Sequence, residues 1–260
     1  MKKVIVIAAL VTFALVFTGE ASAGLFDSGI PASWTTLGNS GALGANGDVT
    51  LAPVGGSQYG WVSTNGGVTN SGLGLGYETN GSLLTSSVFS ATAGDSLEFY
   101  FNFVTSDGAG FADYAWARLL DSTSTEVALL FTARTTPSGN SVPGYGMPAI
   151  AATIDPATVT IIPGGPYWSP LGGSSGTCYS GGCGYSDWVK STYGIADTGN
   201  YILEFGVVNW SDTAYQTGLA FDGITVGGEP LGDPGIPEPV SLLLLGSGLL
   251  GMAGLRRRKV

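Results

Sequence analysis

The property that most constrains this chain is a two-residue alternation of apolar and polar side chains, in short runs separated by glycine-rich turns. The clearest run is DSLEFYFNFVT, residues 95–105. Four large apolar side chains share one of its faces: Leu97, Phe99, Phe101 and Phe103. A period of two is that of a β-strand, because successive side chains point to opposite faces of a sheet. The run therefore predicts a strand with one face in a hydrophobic core.

Similar runs recur through residues 24–226, whereas the helical period of 3.6 is absent between residues 24 and 236. They are GWVST, GLGLGYE, SLLTSSVF, DYAWARLLD, EVALLFTAR, TVTII, NYILEFGVVNW and GLAFDGITV. At least eight strands without a sequence repeat favour two packed antiparallel sheets. The sequence predicts an all-β fold, an antiparallel β-sandwich of jelly-roll type, over residues 24–226. The Gly- and Pro-rich segment 227–236 has the composition of a linker.

The charge of the domain excludes several classes of partner. Only Arg118, Arg134 and Lys190 are basic within residues 24–236, against 17 acidic residues, so the net charge there is about −14. Nucleic-acid binding needs a basic footprint, and we predict no nucleic-acid partner. Neutral glycans, divalent cations and basic surfaces remain compatible with this charge.

The two cysteines, Cys178 and Cys183, lie in the glycine-rich sequence GTCYSGGCGY. In an exported protein this spacing predicts a local disulfide. The alternative is a metal or redox pair, but two thiolates in a chain without histidine do not complete a usual zinc site. The surrounding segment, residues 163–193, is too long for a hairpin turn, and its disulfide and aromatic residues predict an ordered functional loop.

The N-terminus has the three parts of a secretory signal peptide. Lys2 and Lys3 form a positive region, residues 4–17 form an apolar run, and Ala21-Ser22-Ala23 forms a small-residue cleavage site. This order predicts a signal peptide over residues 1–23 that signal peptidase removes before Gly24. An uncleaved N-terminal helix is the alternative.

The C-terminus has a second three-part pattern. Pro237, Glu238 and Pro239 precede an apolar run, residues 240–255, and a basic cluster follows: Arg256, Arg257, Arg258 and Lys259. As a helix the run spans roughly 24 Å, close to the roughly 30 Å of a bilayer core, so it predicts a transmembrane helix that needs its flanks. The basic cluster stops translocation, which places the domain outside and the tail inside. The prolines keep the triplet extended and accessible to a processing enzyme.

These residues resemble the sorting signal of PEP-CTERM bacterial surface proteins, over residues 237–260. The resemblance implies handling by an exosortase, a membrane-embedded cysteine transpeptidase-like enzyme. It also implies a host that makes extracellular polysaccharide. Localisation would then be the cell surface or the extracellular space, with transient membrane anchoring by the C-terminal helix. A plain C-terminal anchor is the alternative.

Acidic turns supply a candidate cation site, at Asp107, Asp113 and Asp222. Calcium takes six to eight oxygen ligands, which loops at one end of a sandwich can provide. The stretches around these residues also resemble jelly-roll domains of surface-anchored bacterial proteins, which favours calcium and sugar. No EF-hand pattern is present, so ordinary turn aspartates are the alternative, and no cofactor is certain.

Aromatic residues in the long loop supply a candidate glycan contact, at Trp168, Tyr185 and Trp188. Sugar rings stack on exposed aromatic faces, although anchoring of the loop is the alternative role. Glu98 and Glu204 are candidates for the carboxylate pair of a polysaccharide-active enzyme, which needs two carboxylates roughly 5–10 Å apart. The alternative is that each is the outward residue of a strand.

These observations together predict a secreted, exosortase-sorted protein of the cell surface or extracellular matrix. Its role would be structural, adhesive or weakly glycan-binding, without enzymatic activity. The alternative is the polysaccharide-active enzyme.

Overall fold

Two antiparallel sheets face each other in the computed structural model, which describes residues 24–232. In chain order the strands are β1 (Thr35–Leu37), β2 (Asn39–Leu43), β3 (Tyr59–Ser63), β4 (Glu78–Thr85), β5 (Phe89–Ala91), β6 (Ser96–Thr105), β7 (Tyr114–Asp121), β8 (Glu126–Arg134), β9 (Thr153–Asp155), β10 (Ile162–Pro163), β11 (Gly184–Tyr185), β12 (Val189–Gly194), β13 (Gly199–Trp210), β14 (Thr217–Val226) and β15 (Glu229–Pro230). One short 3-10 segment, Ser169–Ser174, interrupts the long loop.

The described part of the chain divides its strands between a six-stranded and a nine-stranded sheet. The first has the order β1-β4-β13-β7-β8, with β5 beside β13. The second has the order β10-β11-β6-β14-β3-β2, with β12 pairing β6 and β9, and β15 pairing β14. The all-β antiparallel sandwich of jelly-roll type that the sequence predicts is confirmed. Its predicted flanks, the signal peptide and the transmembrane helix, lie outside the described residues.

The core between the sheets is built from the aromatic rows of the alternating strands. All four apolar residues of the β6 face are fully buried: Leu97, Phe99, Phe101 and Phe103. The Phe101 ring stacks on Phe131 of the opposite sheet, with centroids 3.7 Å apart and planes 6° apart. Phe205 and Phe221 form a second stack across the sheets at 3.9 Å. The two stacks join β6 and β14 of the nine-stranded sheet to β8 and β13 of the six-stranded sheet, so that both sheets contribute rings to one core.

The outer faces of both sheets are covered in part by loops, which bury aromatic side chains outside the central core. Trp116 is fully buried in this way, in a cluster with Tyr114, Leu129 and Val208. Gly206 lies opposite Trp116 in the sheet, and a Cβ at Gly206 would come within 2.2 Å of the indole. Glycine is therefore required there to let the indole lie flat on the strand.

Three predicted strands are irregular in the structure. The run SLLTSSVF is divided between β4, which ends at Thr85, and β5, which begins at Phe89. Residues 72–77 of the run GLGLGYE form a loop, because Gly74 and Gly76 adopt positive φ angles of 81° and 114° that break the extended chain. Of the run TVTII, only Ile162 belongs to a strand. Leu73 and Leu75 nevertheless pack on the outer cluster around Trp116, so their apolar character serves burial without a strand.

The predicted linker 227–236 starts inside the fold. Glu229–Pro230 is a strand that pairs with Thr225 and Val226 of β14. Leu231 is buried, and its N–H donates to the Ile224 carbonyl at 2.8 Å. The linker prediction is therefore wrong for residues 227–231. This segment is rich in Gly and Pro, but burial of Leu231 and the pairing of β15 with β14 hold it in the fold. Residues 233–236 lie outside the described part of the chain.

Candidate functional site

The long loop is ordered against the nine-stranded sheet, and it buries one of its predicted glycan residues. Trp168 is 1% exposed, and its Nε1–H donates to the Tyr59 hydroxyl at 2.9 Å. Its ring meets Trp61 edge-on with centroids 6.4 Å apart. Trp168 thus belongs to the small apolar cluster on the outer face of this sheet. The expectation of a sugar contact at Trp168 is corrected, because its ring faces are covered by protein.

Trp188 and Tyr185 are half-buried on the same cluster. The Trp188 Nε1–H donates to the Thr50 carbonyl at 3.1 Å, and its ring contacts Tyr59 edge-on. These two contacts hold Trp188 against the segment that precedes β3. Tyr185 differs, because its side chain also lines an open groove.

The Tyr167 groove, as we name it, has a volume of about 280 Å³ and is lined by Asp48, residues 162–167 and Tyr185. Tyr167 is 65% exposed. Its backbone N–H donates to Asp48 Oδ2 at 2.7 Å, and its carbonyl accepts from the Asp48 N–H at 2.8 Å. Two tyrosines and one carboxylate therefore share an open groove, anchored on an ordered backbone. This combination offers one stacking face and groups that bind hydroxyls.

The predicted disulfide between Cys178 and Cys183 is present, with the Cα atoms 5.7 Å apart. It closes a loop whose Tyr179 N–H donates to the Ser106 carbonyl at 3.0 Å. Tyr179 also packs on Phe111 and Tyr215. A short loop of this kind contributes about 2 kcal/mol by chain entropy, so the bond shapes the loop more than it stabilises the fold.

The three predicted calcium aspartates do not converge. Asp107 and Asp113 lie at one end of the sandwich, after β6 and before β7, whereas Asp222 pairs in register with Tyr100 in the middle of β6. Within residues 24–232, no group of three or more His, Cys, Asp or Glu side chains is placed to hold a metal ion. The prediction of one site from these three residues is corrected, because the strand β14 carries Asp222 away from the other two.

Asp113 is a buried structural acid. Its Oδ2 accepts from the Thr217 hydroxyl at 2.6 Å and its Oδ1 from the Trp210 N–H at 2.7 Å. The Thr217 hydroxyl lies 2.7 Å from that of Thr105, which accepts from the Asp107 N–H. Burial raises the pKa of Asp113 well above its usual range. This carboxyl thus ties β7, β13 and β14 together at one end of the sandwich.

Asp107 is 1% exposed, and only its Oδ1 has a hydrogen bond among the described residues, from the Gly108 N–H at 2.7 Å. Burial, reinforced by the charge of Asp212, raises the pKa of Asp107 to about 7. Burial likewise raises the pKa of Asp222 to about 6. The folded protein therefore holds protons on these acids that the unfolded chain releases near pH 4.

We expect the stability to fall as the pH rises from about 4 to about 7. The native state binds more protons than the unfolded state in this window, so the free energy of unfolding decreases with pH, by at most about 1.4 kcal/mol per pH unit for each such acid.

Asp107→Asn removes one of these acids. The variant should match the parent protein near pH 4 and exceed its melting temperature at pH 8, as measured by thermal denaturation across pH. The control Asp197→Asn changes an exposed aspartate. An Asp107→Asn variant with the full pH dependence of the parent would contradict this account.

The carboxylates Glu98 and Glu204 lie on different sheets, in β6 and β13. Glu98 Oε2 is 2.7 Å from the Lys190 ammonium, and Glu204 Oε1 accepts from Arg118 Nε at 2.7 Å. The Lys190 hydrogen bond lowers the pKa of Glu98. Each carboxylate is thus the outward residue of a strand, held in its own ion pair, and the two do not face each other across a cleft.

The sequence did not predict a second pocket, which lies beside Asp27. Gly24, Asp222 and Pro230 help to line a pocket of about 300 Å³, and Asp27 lies beside it. Residues near the start of the β-sandwich domain thus meet β15 and the end of β14 at this pocket. The sequence signal was an aspartate three residues after Gly24, which is the spacing of a local turn.

The fold and these sites define an antiparallel β-sandwich whose sheets are partly covered by loops. The C-terminal segment indicates where in or on the cell this protein is located. A family model described as the PEP-CTERM protein-sorting motif matches residues 235–259. The chain carries this sorting signal, which implies export to the cell surface or extracellular space. Within residues 24–232, no helix has the length and apolar character to cross a membrane. The residues of the motif and the basic cluster, named above, lie outside the described part.

Several solved structures are similar to this chain at low identity. The K1 adhesin domain of Lys-gingipain from Porphyromonas gingivalis has 13% identity and a TM-score of 0.38, covering 77% of this chain and 94% of that one. The K3 adhesin domain of the same protein has 13% identity and a TM-score of 0.37, covering 78% and 96%. The enzymatically active domain of tailspike protein 4 from bacteriophage CBA120 has 12% identity and a TM-score of 0.33, covering 75% and 19%. No curated protein matches the sequence.

Proposed function

We propose that this protein is exported, processed at both ends and kept at the cell surface or in the extracellular polymer matrix, where its role is structural or adhesive and not enzymatic. The single observation that carries the proposal is the sorting motif at residues 235–259. Signal peptidase cleaves before Gly24. Exosortase then acts at the Pro-Glu-Pro triplet, after the apolar run 240–255 has held the tail in the membrane.

The charges of the domain support a neutral partner. The Arg118 and Lys190 side chains form ion pairs with glutamates, and Arg134 lies over the Trp210 ring at 4.4 Å. The basic residues of the described chain therefore form no patch that would attract nucleic acid or an acidic polymer. Neutral extracellular polysaccharide is compatible with this surface.

The Tyr167 groove is the site we propose for glycan contact, in place of Trp168. Its exposed tyrosine offers a ring face to a sugar, Tyr185 forms a second wall, and Asp48 supplies a carboxylate for hydroxyls. A single contact of this kind binds weakly, and binding to a polymer gains strength when several such contacts form at once.

Tyr167→Ala is expected to weaken binding to neutral polysaccharide purified from the host by about tenfold, which corresponds to about 1.4 kcal/mol from one lost ring contact. Binding is measured by affinity electrophoresis of the secreted protein. Tyr145→Ala is the matched control, because Tyr145 is also a highly exposed loop tyrosine but does not line the groove. Equal binding by both variants would contradict the groove as the contact site, and hydrolysis of the polymer would contradict the non-enzymatic role.

A further inference from the structure

The Asp27 carboxylate, near the start of the domain, accepts hydrogen bonds from three backbone N–H groups. Its Oδ2 accepts from Gly24 N at 2.8 Å, and its Oδ1 accepts from Ser57 N at 2.6 Å and Gln58 N at 3.1 Å. The chain folds back here, since the Asp27 N–H also donates to the Gly24 carbonyl at 3.1 Å. These hydrogen bonds lower the pKa of Asp27 against a raising effect of burial. The carboxylate is therefore charged at neutral pH, and Gly24 N lies in direct contact with it.

No cationic side chain of the described residues balances this charge. Arg118 and Lys190 pair with glutamates, and the Arg134 Nε–H donates to the Ala112 carbonyl. Asp222, which is 3% exposed, lines the adjacent pocket together with Gly24. The negative charge of Asp27 adds to the burial that raises the pKa of Asp222. This corner thus holds two acids without a side-chain cation.

The space around Gly24 is closed on one side. A Cβ at Gly24 would come within 3.1 Å of Asp27 Oδ1 and 3.3 Å of the Gly56 Cα. Gly56 itself has a positive φ of 91°, which lets its backbone pass close to Gly24. Gly24 is therefore held in one position by its neighbours, with its backbone nitrogen hydrogen-bonded to the Asp27 carboxylate.

We propose that the α-ammonium created by signal-peptide cleavage forms an ion pair with Asp27, so that cleavage itself completes the fold of the mature protein. This inference rests on the proposed function, because it needs the cut before Gly24. Hydrolysis adds water across the bond between the Ala23 carbonyl carbon and Gly24 N. The Ala23 carbon becomes a carboxylate, and Gly24 N takes protons to become an ammonium with three donors. One donor keeps the bond to Asp27 Oδ2, which becomes a charge-assisted hydrogen bond.

The experiment shifts the ammonium without removing the cleavage site. Two residues, Gln-Thr, are inserted between Ala23 and Gly24 in the full chain. The Ala21-Ser22-Ala23 site is kept and no second small-residue site arises before Gly24, so the secreted protein begins two residues early and Gly24 N stays an amide. The insertion is expected to lower the melting temperature by about 2–4 °C for a domain of this size. In an Asp27→Asn background the same insertion should have no effect. In an Asp121→Asn background it should keep its full effect, because Asp121 also caps a turn with several hydrogen bonds but lies elsewhere.

A second readout covers the case in which Asp27→Asn does not fold. The acylation rate of the α-amine is followed against pH by mass spectrometry of the N-terminal peptide. The midpoint is expected above the usual range of about 7.7–8.0, since the pair favours the charged amine. An unshifted or lower midpoint would overturn the ion pair, as would an insertion effect that persists in Asp27→Asn. A parent protein whose mass keeps residues before Gly24 would overturn both the cleavage and the pair. A protein that begins at Gly24, but whose insertion effect does not depend on Asp27, would overturn the ion pair and leave the cleavage site intact.

Discussion

Phe101→Ala is expected to lower the free energy of unfolding by about 3–5 kcal/mol. The Phe101 ring is fully buried and stacks on Phe131 across the two sheets, at 3.7 Å between centroids. Its removal leaves a cavity between the central strand β6 and the opposite sheet, and β-strands at this position cannot move inward to fill it without breaking their pairing. The measurement is urea denaturation of the secreted protein, followed by intrinsic fluorescence.

The matched control is Phe111→Ala, which removes the same ring from a half-buried loop position. Phe111 contacts Tyr179 but lies outside the core, so its loss should cost about 1 kcal/mol or less. Similar losses for both variants would mean that the aromatic stacks between the sheets are not the main source of stability.

Replacement of Pro237, Glu238 and Pro239 by alanine should abolish removal of the C-terminal tail. Proline keeps the backbone extended and alanine favours helix, so the variant would no longer present an extended peptide to the processing enzyme. The exported variant should stay in the membrane fraction with its full C-terminus. The readout is the intact mass of the protein from the membrane fraction and from the medium.

The control for this variant is Pro234→Ala, which removes a proline three residues earlier and keeps the triplet. It should be processed like the parent protein. Normal processing of the triple variant would show that the triplet is not what the enzyme recognises, and the sorting account would then depend on the apolar run and the basic cluster alone.

The alternation of apolar residues was sufficient to predict the central strands and their buried faces. In β6, the row from Leu97 to Phe103 is buried as the pattern requires, because burial of one face leaves only one register. The disulfide could be predicted for a similar reason, since two cysteines five residues apart had no other partner in the chain. Local patterns determined these features, and the structure agrees with them.

The surface role of individual residues could not be predicted, because it depends on which loops cover which sheet face. Trp168 lies in a glycine-rich loop, yet it is buried against Tyr59, more than a hundred residues away. In the sequence Asp222 follows a short apolar run, as Asp107 does. In the structure Asp222 lies within β14, and the pairing of β14 with β6 separates it from Asp107. Contacts between distant segments decide such placements, and neither periodicity nor composition carries that information.

The pocket beside Asp27 and the Tyr167 groove are sites that the sequence patterns did not reveal. Each site joins segments far apart in sequence: Asp27 with Ser57, and Tyr167 with Asp48. The Asp27 carboxylate accepts three backbone N–H groups and the Asp48 carboxylate accepts one, and no side-chain pattern reveals such contacts. Candidate sites of this kind become visible only when the backbone path is known.

The measurement that tests the central claim most directly is the intact mass of the protein recovered from the surface and the medium of its native host. The account predicts a mass that begins at Gly24 and lacks the residues after about Pro237, since signal peptidase and the sorting enzyme would each have removed one end. A mass that retains the chain through Val260 would contradict the account. The protein would then be a tail-anchored membrane protein, and its partners would have to be sought in the membrane.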